Sequence, residues 1–340
     1  MTIIELVLAL LAILAAAFFF TNAVEMLGER LNLGQGAVGS VLAAVGTALP
    51  ETMIPIVAIL GAVIVGTGGE AAGEIGIGAI LGAPFLLSTL AIFVVGAAAI
   101  GFRGRRSTGD QVVADRDTGI RDVGFFLVCF TVAAGAGLLP LPLLVKILLA
   151  ILLVGAYVFY VTRTLKADDG GELEDTPENL KFWPFSSTPP TWAVVGQLVI
   201  SLGIMAAGAH FFVDAIEHGS KEVGIPAGLV ALILAPLATE LPEKLNSVIW
   251  LRDNKDTLAL GNITGAMVFQ STIPVSIGIL FTPWQLDSLS ALASGLAVAS
   301  GIVFFVLLLR NDSIRAFYLL GAGSLYIVFI GVAIYSIVLA

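Results

Sequence analysis

Two short segments of the chain place a carboxylate and a hydroxyl beside a proline. Residues 46–51 read Gly-Thr-Ala-Leu-Pro-Glu and residues 238–243 read Ala-Thr-Glu-Leu-Pro-Glu, so Thr-x-Leu-Pro-Glu occurs twice. A proline inside a helix deprives the carbonyl four residues earlier of its amide partner, and residues four apart lie on one helix face. Each segment therefore offers a carboxylate, a hydroxyl and a freed carbonyl together. These are the oxygen ligands that calcium prefers.

Two facing copies of this segment would supply the carboxylates of Glu51 and Glu243 and the hydroxyls of Thr47 and Thr239. A charged side chain at the centre of a bilayer costs about 2.5–3.5 kcal/mol on insertion scales, so intramembrane carboxylates are functional candidates. A single Pro-Glu pair could simply kink a helix and bond to a neighbour. Two copies at matching positions favour a cation site instead.

The rest of the sequence predicts the membrane in which these residues lie. The chain has 340 residues, of which 58% are hydrophobic and 12% charged, whereas soluble domains carry about 25% charged residues. Mean hydropathy is +1.02. With a net charge of -9 and no large basic stretch, the composition excludes a soluble enzyme, a disordered protein and a nucleic-acid binder.

A bilayer core needs about 20 mostly apolar residues per helix, and the sequence contains ten such runs. We therefore predict an all-α polytopic membrane protein with ten transmembrane helices. The predicted spans are 2–20, 35–66, 73–100, 121–138, 141–163, 191–214, 223–251, 257–281, 286–309 and 313–339. The fourth and fifth are separated only by residues 139–142, Leu-Pro-Leu-Pro.

The polar segments predict orientation and domain organisation. Most of the 16 basic residues follow odd-numbered spans, and basic loops are cytoplasmic, so both termini are expected outside a cell membrane. The acidic stretch 164–190 is predicted to be a cytoplasmic linker between two five-helix repeats, 1–163 and 191–340. Because five spans separate the two copies, they enter the membrane from opposite sides, and the repeat is inverted.

Each Thr-x-Leu-Pro-Glu segment is followed by a glycine-rich span that reaches a Ser-Thr pair, at 88–89 in the first half and at 271–272 in the second. Small residues allow membrane helices to pack closely, which predicts close contacts at the glycines of both spans. These glycines are Gly76, Gly78, Gly82, Gly261 and Gly265. The four tryptophans fall at predicted span ends, where aromatic belts lie.

With both motifs in view, the sequence resembles the cation/calcium exchanger superfamily, whose halves each carry a signature close to Gly-Thr-Ser-Leu-Pro-Glu followed by Gly-Asn-x-x-Gly-Ser-Asn. The resemblance implies two interlocked inverted repeats, with Glu51 and Glu243 as central metal ligands and Thr47 and Thr239 beside them. It further implies that the first and sixth spans slide to give alternating access, and that a single chain can work without oligomerisation.

The chain departs from this signature where the family's sodium ligands would lie. Ala48 and Glu240 replace the Ser that helps to coordinate sodium, and the polar residue further along each half is Leu87 in the first half and Gln270 in the second. Several sodium-site oxygens are therefore missing, although Gln270 and Glu240 stay candidate metal ligands. Glu240 and Lys244 form an i,i+4 pair. Either the two charges neutralise each other, or Glu240 takes part in the ion site and Lys244 tunes its charge.

The sequence thus predicts a secondary antiporter that exchanges calcium or a similar divalent cation for sodium or protons. It needs no cofactor and no nucleic acid, and its partners are inorganic cations and the lipid bilayer. A passive cation channel, or an exchanger for magnesium or manganese, is the alternative. An enzyme is not expected, since the chain contains neither His-Glu-x-x-His nor Gly-x-Ser-x-Gly.

Overall fold

A computed structural model describes residues 2–30, 43–61, 69–167, 179–186 and 188–339. Within these residues the chain forms twelve α-helices, one π-helical turn and two short strands. The helices are α1 (Thr2–Arg30), α2 (Ala43–Leu60), α3 (Gly69–Leu86), α4 (Ile92–Gly101), α5 (Arg116–Ala136), α6 (Leu143–Ala167), α7 (Thr191–Val223), α8 (Ala227–Arg252), α9 (Asp256–Gln270), α10 (Ile273–Phe281), α11 (Ser288–Arg310) and α12 (Ala316–Leu339). The π-helical turn, Leu87–Ala91, joins α3 to α4.

The prediction of an all-helical polytopic membrane protein is confirmed. Eight helical segments in the described chain are long and apolar enough to cross a membrane: Ile3–Val24, Ala71–Gly101, Arg116–Ala136, Leu143–Thr164, Thr191–Val223, Asp256–Phe281, Ser288–Arg310 and Ala316–Val338. The break predicted between the fourth and fifth spans is also confirmed, because α5 ends at Ala136 and α6 begins at Leu143.

Helices α2 and α8 have shorter apolar stretches, Glu51–Leu60 and Ala227–Glu240. They are the two helices that contain the Thr-x-Leu-Pro-Glu segments. Within the described residues, length and composition therefore support eight of the ten predicted spans, and α2 and α8 lie in the second and seventh predicted spans.

Helices α3 and α8 cross with their backbones in direct contact. A Cβ atom built on Gly82 would lie 2.1 Å from the carbonyl oxygen of Leu232, and one on Gly78 would lie 2.1 Å from the carbonyl oxygen of Gly228. Gly76 likewise faces the side chain of Ile59 on α2. Glycine is required at Gly78 and Gly82, because a larger residue would collide with the backbone of α8, whereas at Gly76 the Ile59 side chain would have to shift.

The packing prediction was wrong for Gly261 and Gly265, since no described atom outside their own helix lies within 4 Å of a Cβ built there. The aromatic belt prediction was wrong for Trp284. Its side chain is only 1% exposed, and its indole Nε1 donates to the carbonyl of Ala133 at 3.0 Å. Trp192, by contrast, is 66% exposed. Hydropathy places both residues at span ends but does not distinguish a lipid-facing side from a protein-facing one.

One end of the bundle is tied together by a buried ion pair that the sequence did not predict. The guanidinium of Arg106 donates to both carboxylate oxygens of Asp256, at 2.8 and 2.7 Å, and to the carbonyl of Leu251 at 2.6 Å. Both side chains are almost fully buried. Beside them β1 (Gln111–Val113) pairs antiparallel with β2 (Ser313–Arg315). Loops from both halves of the chain are therefore fixed to one another here.

Candidate cation site

Two predicted ligands from opposite halves of the chain meet in the structure. The side-chain amide of Gln270, at the end of α9, donates from Nε2 to Oε2 of Glu51 on α2 at 3.1 Å. Gln270 is 1% exposed, whereas Glu51 is half-buried. The contact brings a carboxylate and an amide together between α2 and α9, although 219 residues separate them in sequence.

Helix α8 presents the second group of predicted ligands. Thr239 is buried, and its hydroxyl donates to the carbonyl of Ala235 at 3.0 Å, which leaves the hydroxyl oxygen able to accept or to coordinate. One residue further along, Glu240 is fully buried, and its Oε2 lies 3.3 Å from Nζ of the equally buried Lys244. The predicted i,i+4 ion pair is thus confirmed.

The side chains of Thr47 and Glu243 lie outside the described part of the structure. Their backbones belong to α2 and α8 respectively. Helical spacing puts Thr47 one turn before Glu51, and Glu243 one turn after Thr239. The ligand roles of all six residues, Glu51, Glu243, Thr47, Thr239, Glu240 and Gln270, stay predictions.

The Ser-Thr pairs of the two halves both coincide with an irregular helix. In the first half the pair lies in the π-helical turn, where the Ser88 hydroxyl donates to the carbonyl of Pro84 at 2.8 Å. In the second half the pair separates α9 from α10, and the hydroxyls of Ser271 and Thr272 both donate to the carbonyl of Val268 at 2.9 Å. Side-chain hydroxyls of this kind can bond to backbone carbonyls where a membrane helix is irregular. π-Helical turns are frequent at functional sites.

The two halves contribute unequally at the matched position. Gln270 offers an amide to the site from the second half, but the equivalent Leu87 is apolar and fully buried in the core. The structure therefore agrees with the loss of polar ligands that the sequence indicates for the first half.

Sequence reasoning missed a buried carboxylate on α5. Asp122 is 2% exposed and accepts hydrogen bonds from Tyr160 on α6 at 2.8 Å and from Thr264 on α9 at 2.9 Å. Arg121 donates to the same carboxylate at 3.2 Å. The cluster fixes α9, whose end carries Gln270. The sequence did contain one indication of this buried group, namely an acidic residue inside a predicted span.

Comparison with known proteins identifies the family. The sequence model of the family described as "Sodium/calcium exchanger protein" matches residues 1–166 and 193–338. The chain belongs to this family. One relative is the inner membrane protein YrbG of Escherichia coli. It is 24% identical to this chain, and the match covers 84% of this chain and 81% of YrbG. The putative antiporter CaxA of Alkalimonas amylolytica is 27% identical over 42% of the chain, and the match spans only 45% of CaxA.

Solved structures show the same fold. The H⁺/Ca²⁺ exchanger CAX superposes with a TM-score of 0.72 at 20% identity, over 97% of this chain and 80% of its own. The sodium-calcium exchanger NCX_Mj superposes with a TM-score of 0.58 at 19% identity, over 97% of both chains. The exchanger-family chain therefore has the all-helical membrane architecture of these proteins.

Proposed function

We propose that the chain is a secondary antiporter that exchanges calcium, or a similar divalent cation, for sodium or protons. The observation that carries the proposal is the contact between Glu51 and Gln270, which joins a carboxylate of one half to an amide of the other. Hard divalent cations bind such combinations of charged and neutral oxygens. Membership of the sodium/calcium exchanger family supports the same activity.

In this proposal Glu51 and Glu243 hold the divalent cation, and Thr47, Thr239, Glu240 and Gln270 supply further oxygens. The apolar Ala48 and Leu87, at positions where sodium ligands are expected, favour protons over sodium as the driving ion. Named relatives include both kinds of exchanger, namely the sodium/calcium exchanger MaX1 of Methanosarcina acetivorans and the H⁺/Ca²⁺ exchanger CAX.

Alternating access would come from α1 and α7 moving as one unit against the remaining helices. Their interface is apolar, with Ile13 of α1 packed against α7 at Gly208. Polar contacts also tie the pair: Nε2 of the buried Gln197 donates to Oδ1 of Asn22 at 3.0 Å and to the carbonyl of Phe19 at 2.7 Å. Together these contacts would keep the two helices in register while they slide. Both termini lie outside the cell in this proposal.

The test is calcium flux in liposomes that contain the purified protein. Radioactive calcium should accumulate against its gradient when either a sodium gradient at fixed pH or a pH gradient without sodium is imposed, and comparing the two identifies the driving ion. Glu51→Gln should abolish accumulation, whereas the matched control Glu5→Gln, at an exposed position of α1, should not. If neither gradient moves calcium, the proposed antiport is wrong. Flux that needs no counter-ion would indicate a channel.

A further inference from the structure

Helix α9 carries Gln270 into the candidate site, but one side of its middle is loosely packed. Within the described chain, no atom outside this helix lies within 4 Å of a Cβ built on Gly261 or Gly265. A cavity of about 240 Å³ lies beside the first of these glycines and is lined in part by Gly261 and Thr264. Packing therefore leaves α9 room to shift on this side.

The hydroxyl of Thr264, which lies between these two glycines in the sequence, ties α9 to the first half of the chain. Thr264 is buried, and its Oγ1 donates to Oδ2 of Asp122 on α5 at 2.9 Å. The carbonyl of Gly261 lies farther from the same hydroxyl, at 3.4 Å. Because a hydroxyl has one proton and hydrogen bonds to a carboxylate are the stronger ones, the bond to Asp122 is the anchor.

The carboxylate of Asp122 is itself held in a fixed orientation. Its other oxygen, Oδ1, accepts from the hydroxyl of Tyr160 on α6 at 2.8 Å and from Nε of Arg121 at 3.2 Å. The Arg121 guanidinium also lies 5.4 Å from the centre of the Tyr160 ring. Two donors therefore aim Oδ2 at Thr264, and both would remain on the carboxylate if the hydroxyl of Thr264 were removed.

The anchor lies close to the end of α9 that enters the site. A rise of 1.5 Å per residue places Gln270 about 9 Å along the helix from Thr264. Beside Gln270, the ring of Phe269 packs edge-on against Tyr157 of α6, with 5.6 Å between the ring centres. Nε2 of Gln270 then donates to Glu51 at 3.1 Å. Since a shift of about 1 Å would break a hydrogen bond of this length, the contact requires α9 to be held in place.

We propose that Asp122 is a positioning residue for cation binding. By accepting the hydrogen bond of Thr264, it holds α9 where Gln270 meets Glu51, and it acts through the helix without touching the cation. This inference rests on the antiport function proposed above and deepens it. Helices α5 and α6 of the first half thereby set the position of a ligand that the second half supplies.

The test compares the calcium concentration that half-saturates exchange in liposomes. Thr264→Val removes the hydroxyl and keeps the branched shape, so the anchor is lost without opening a cavity. The half-saturating concentration should rise about 2- to 30-fold, the range by which residues remote from a ligand modulate its binding, with a smaller change in maximal rate. Thr264→Ser keeps the donor and should match the unaltered protein. The control Thr162→Val, which removes an exposed hydroxyl bonded within α6, should also have no effect.

Combination with Gln270→Leu separates positioning from stability. If Asp122 acts through Gln270, adding Thr264→Val to Gln270→Leu should change calcium affinity by less than about twofold, so the two substitutions are not additive. Calorimetry reports the same cycle as calcium binding. A hydrogen bond that only stabilised the fold would lower the unfolding temperature in both backgrounds, but its effect on calcium affinity would not depend on Gln270.

An unchanged calcium affinity in a folded Thr264→Val variant would overturn the inference, as would equal losses with and without Gln270. If Thr264→Val fails to fold, Asp122→Asn decides. Its amide can accept at only one of the two former oxygens, so it must weaken calcium binding in the same Gln270-dependent way. Absence of any calcium exchange by the unaltered protein would instead refute the proposed antiport function, so the two failures are distinguishable.

Discussion

The crossing of α3 and α8 makes a sharp prediction for Gly82→Ala. A Cβ at this position would lie 2.1 Å from the carbonyl oxygen of Leu232 and 2.7 Å from Cγ of Pro236. Since Cβ atoms do not approach other heavy atoms closer than 3.0 Å, the two helices must separate locally by roughly 1 Å. Neither a backbone carbonyl nor a proline ring can rotate away, so the strain cannot be relieved by a change of rotamer.

Overpacking of this kind costs about 1–3 kcal/mol, and the rigid neighbours place Gly82→Ala at the upper end, about 3 kcal/mol. Gly73→Ala is the matched control, because it lies on the same helix and a Cβ there meets no described atom within 4 Å. Replacement of glycine by alanine in a helix favours folding by about 1 kcal/mol. Both glycines lie in α3 and share this gain, so Gly82→Ala should lower the free energy of unfolding by about 2 kcal/mol and Gly73→Ala should raise it by about 1 kcal/mol, a difference of about 3 kcal/mol.

Thermal unfolding in detergent, followed by tryptophan fluorescence, measures this difference, and the buried Trp284 should report loss of the folded interior. Gly82→Ala should also reduce calcium transport, because α8 carries Thr239 a little less than one turn beyond Pro236, where the helices are forced apart. Equal unfolding temperatures for Gly82→Ala and Gly73→Ala would refute the reasoning, since they would mean that the backbones of α3 and α8 are not in contact.

Two more predictions concern polar contacts. Gln270→Leu removes the side-chain amide that contacts Glu51, and with it the amide oxygen that we propose as a cation ligand. A polar contact to a charged group contributes about 1.5–3 kcal/mol, so calcium binding measured by calorimetry should weaken about 10- to 150-fold, and an unchanged affinity would contradict a role in the site. Arg106→Ala leaves the carboxylate of Asp256 buried without its partner, which should lower the free energy of unfolding by about 3–5 kcal/mol. As a control, Lys221→Ala removes an exposed ion pair and should change the free energy of unfolding by less than about 1 kcal/mol. If Arg106→Ala and Lys221→Ala had similar effects on thermal unfolding, the prediction for Arg106 would be wrong.

The features that the sequence predicted well depend on residues that are close together along the chain. Hydropathy identified the membrane helices, and the two prolines in residues 139–142 marked the end of α5 before α6 begins. Helical spacing alone predicted the ion pair of Glu240 with Lys244. Each of these features depends on residues that lie within one or two helical turns of each other, so the local sequence is enough to predict it.

The features that sequence did not predict depend on residues far apart in the chain. Arg106 and Asp256 are 150 positions apart, and nothing in either local sequence indicates the other. Asp122 at the start of a span could equally have been a charge at the membrane surface, and only the approach of Tyr160 and Thr264 makes it a buried acceptor. Glycine spacing likewise could not tell the tightly packed Gly82 from the unpacked Gly261, because close approach requires a second helix.

The two halves of the molecule have diverged in how they use the same motif. In the first half, Glu51 is surrounded in sequence by uncharged positions, and Leu87 is part of the apolar core. The second half adds Glu240, Lys244 and Gln270, so the buried ion pair and the amide contact both come from α8 and α9. Helix α8, which carries the buried ion pair, is also in direct backbone contact with α3 at Gly78 and Gly82. This arrangement suits a site that stays fixed while other helices move around it, because a buried ion pair keeps its stabilising geometry only if its surroundings remain rigid.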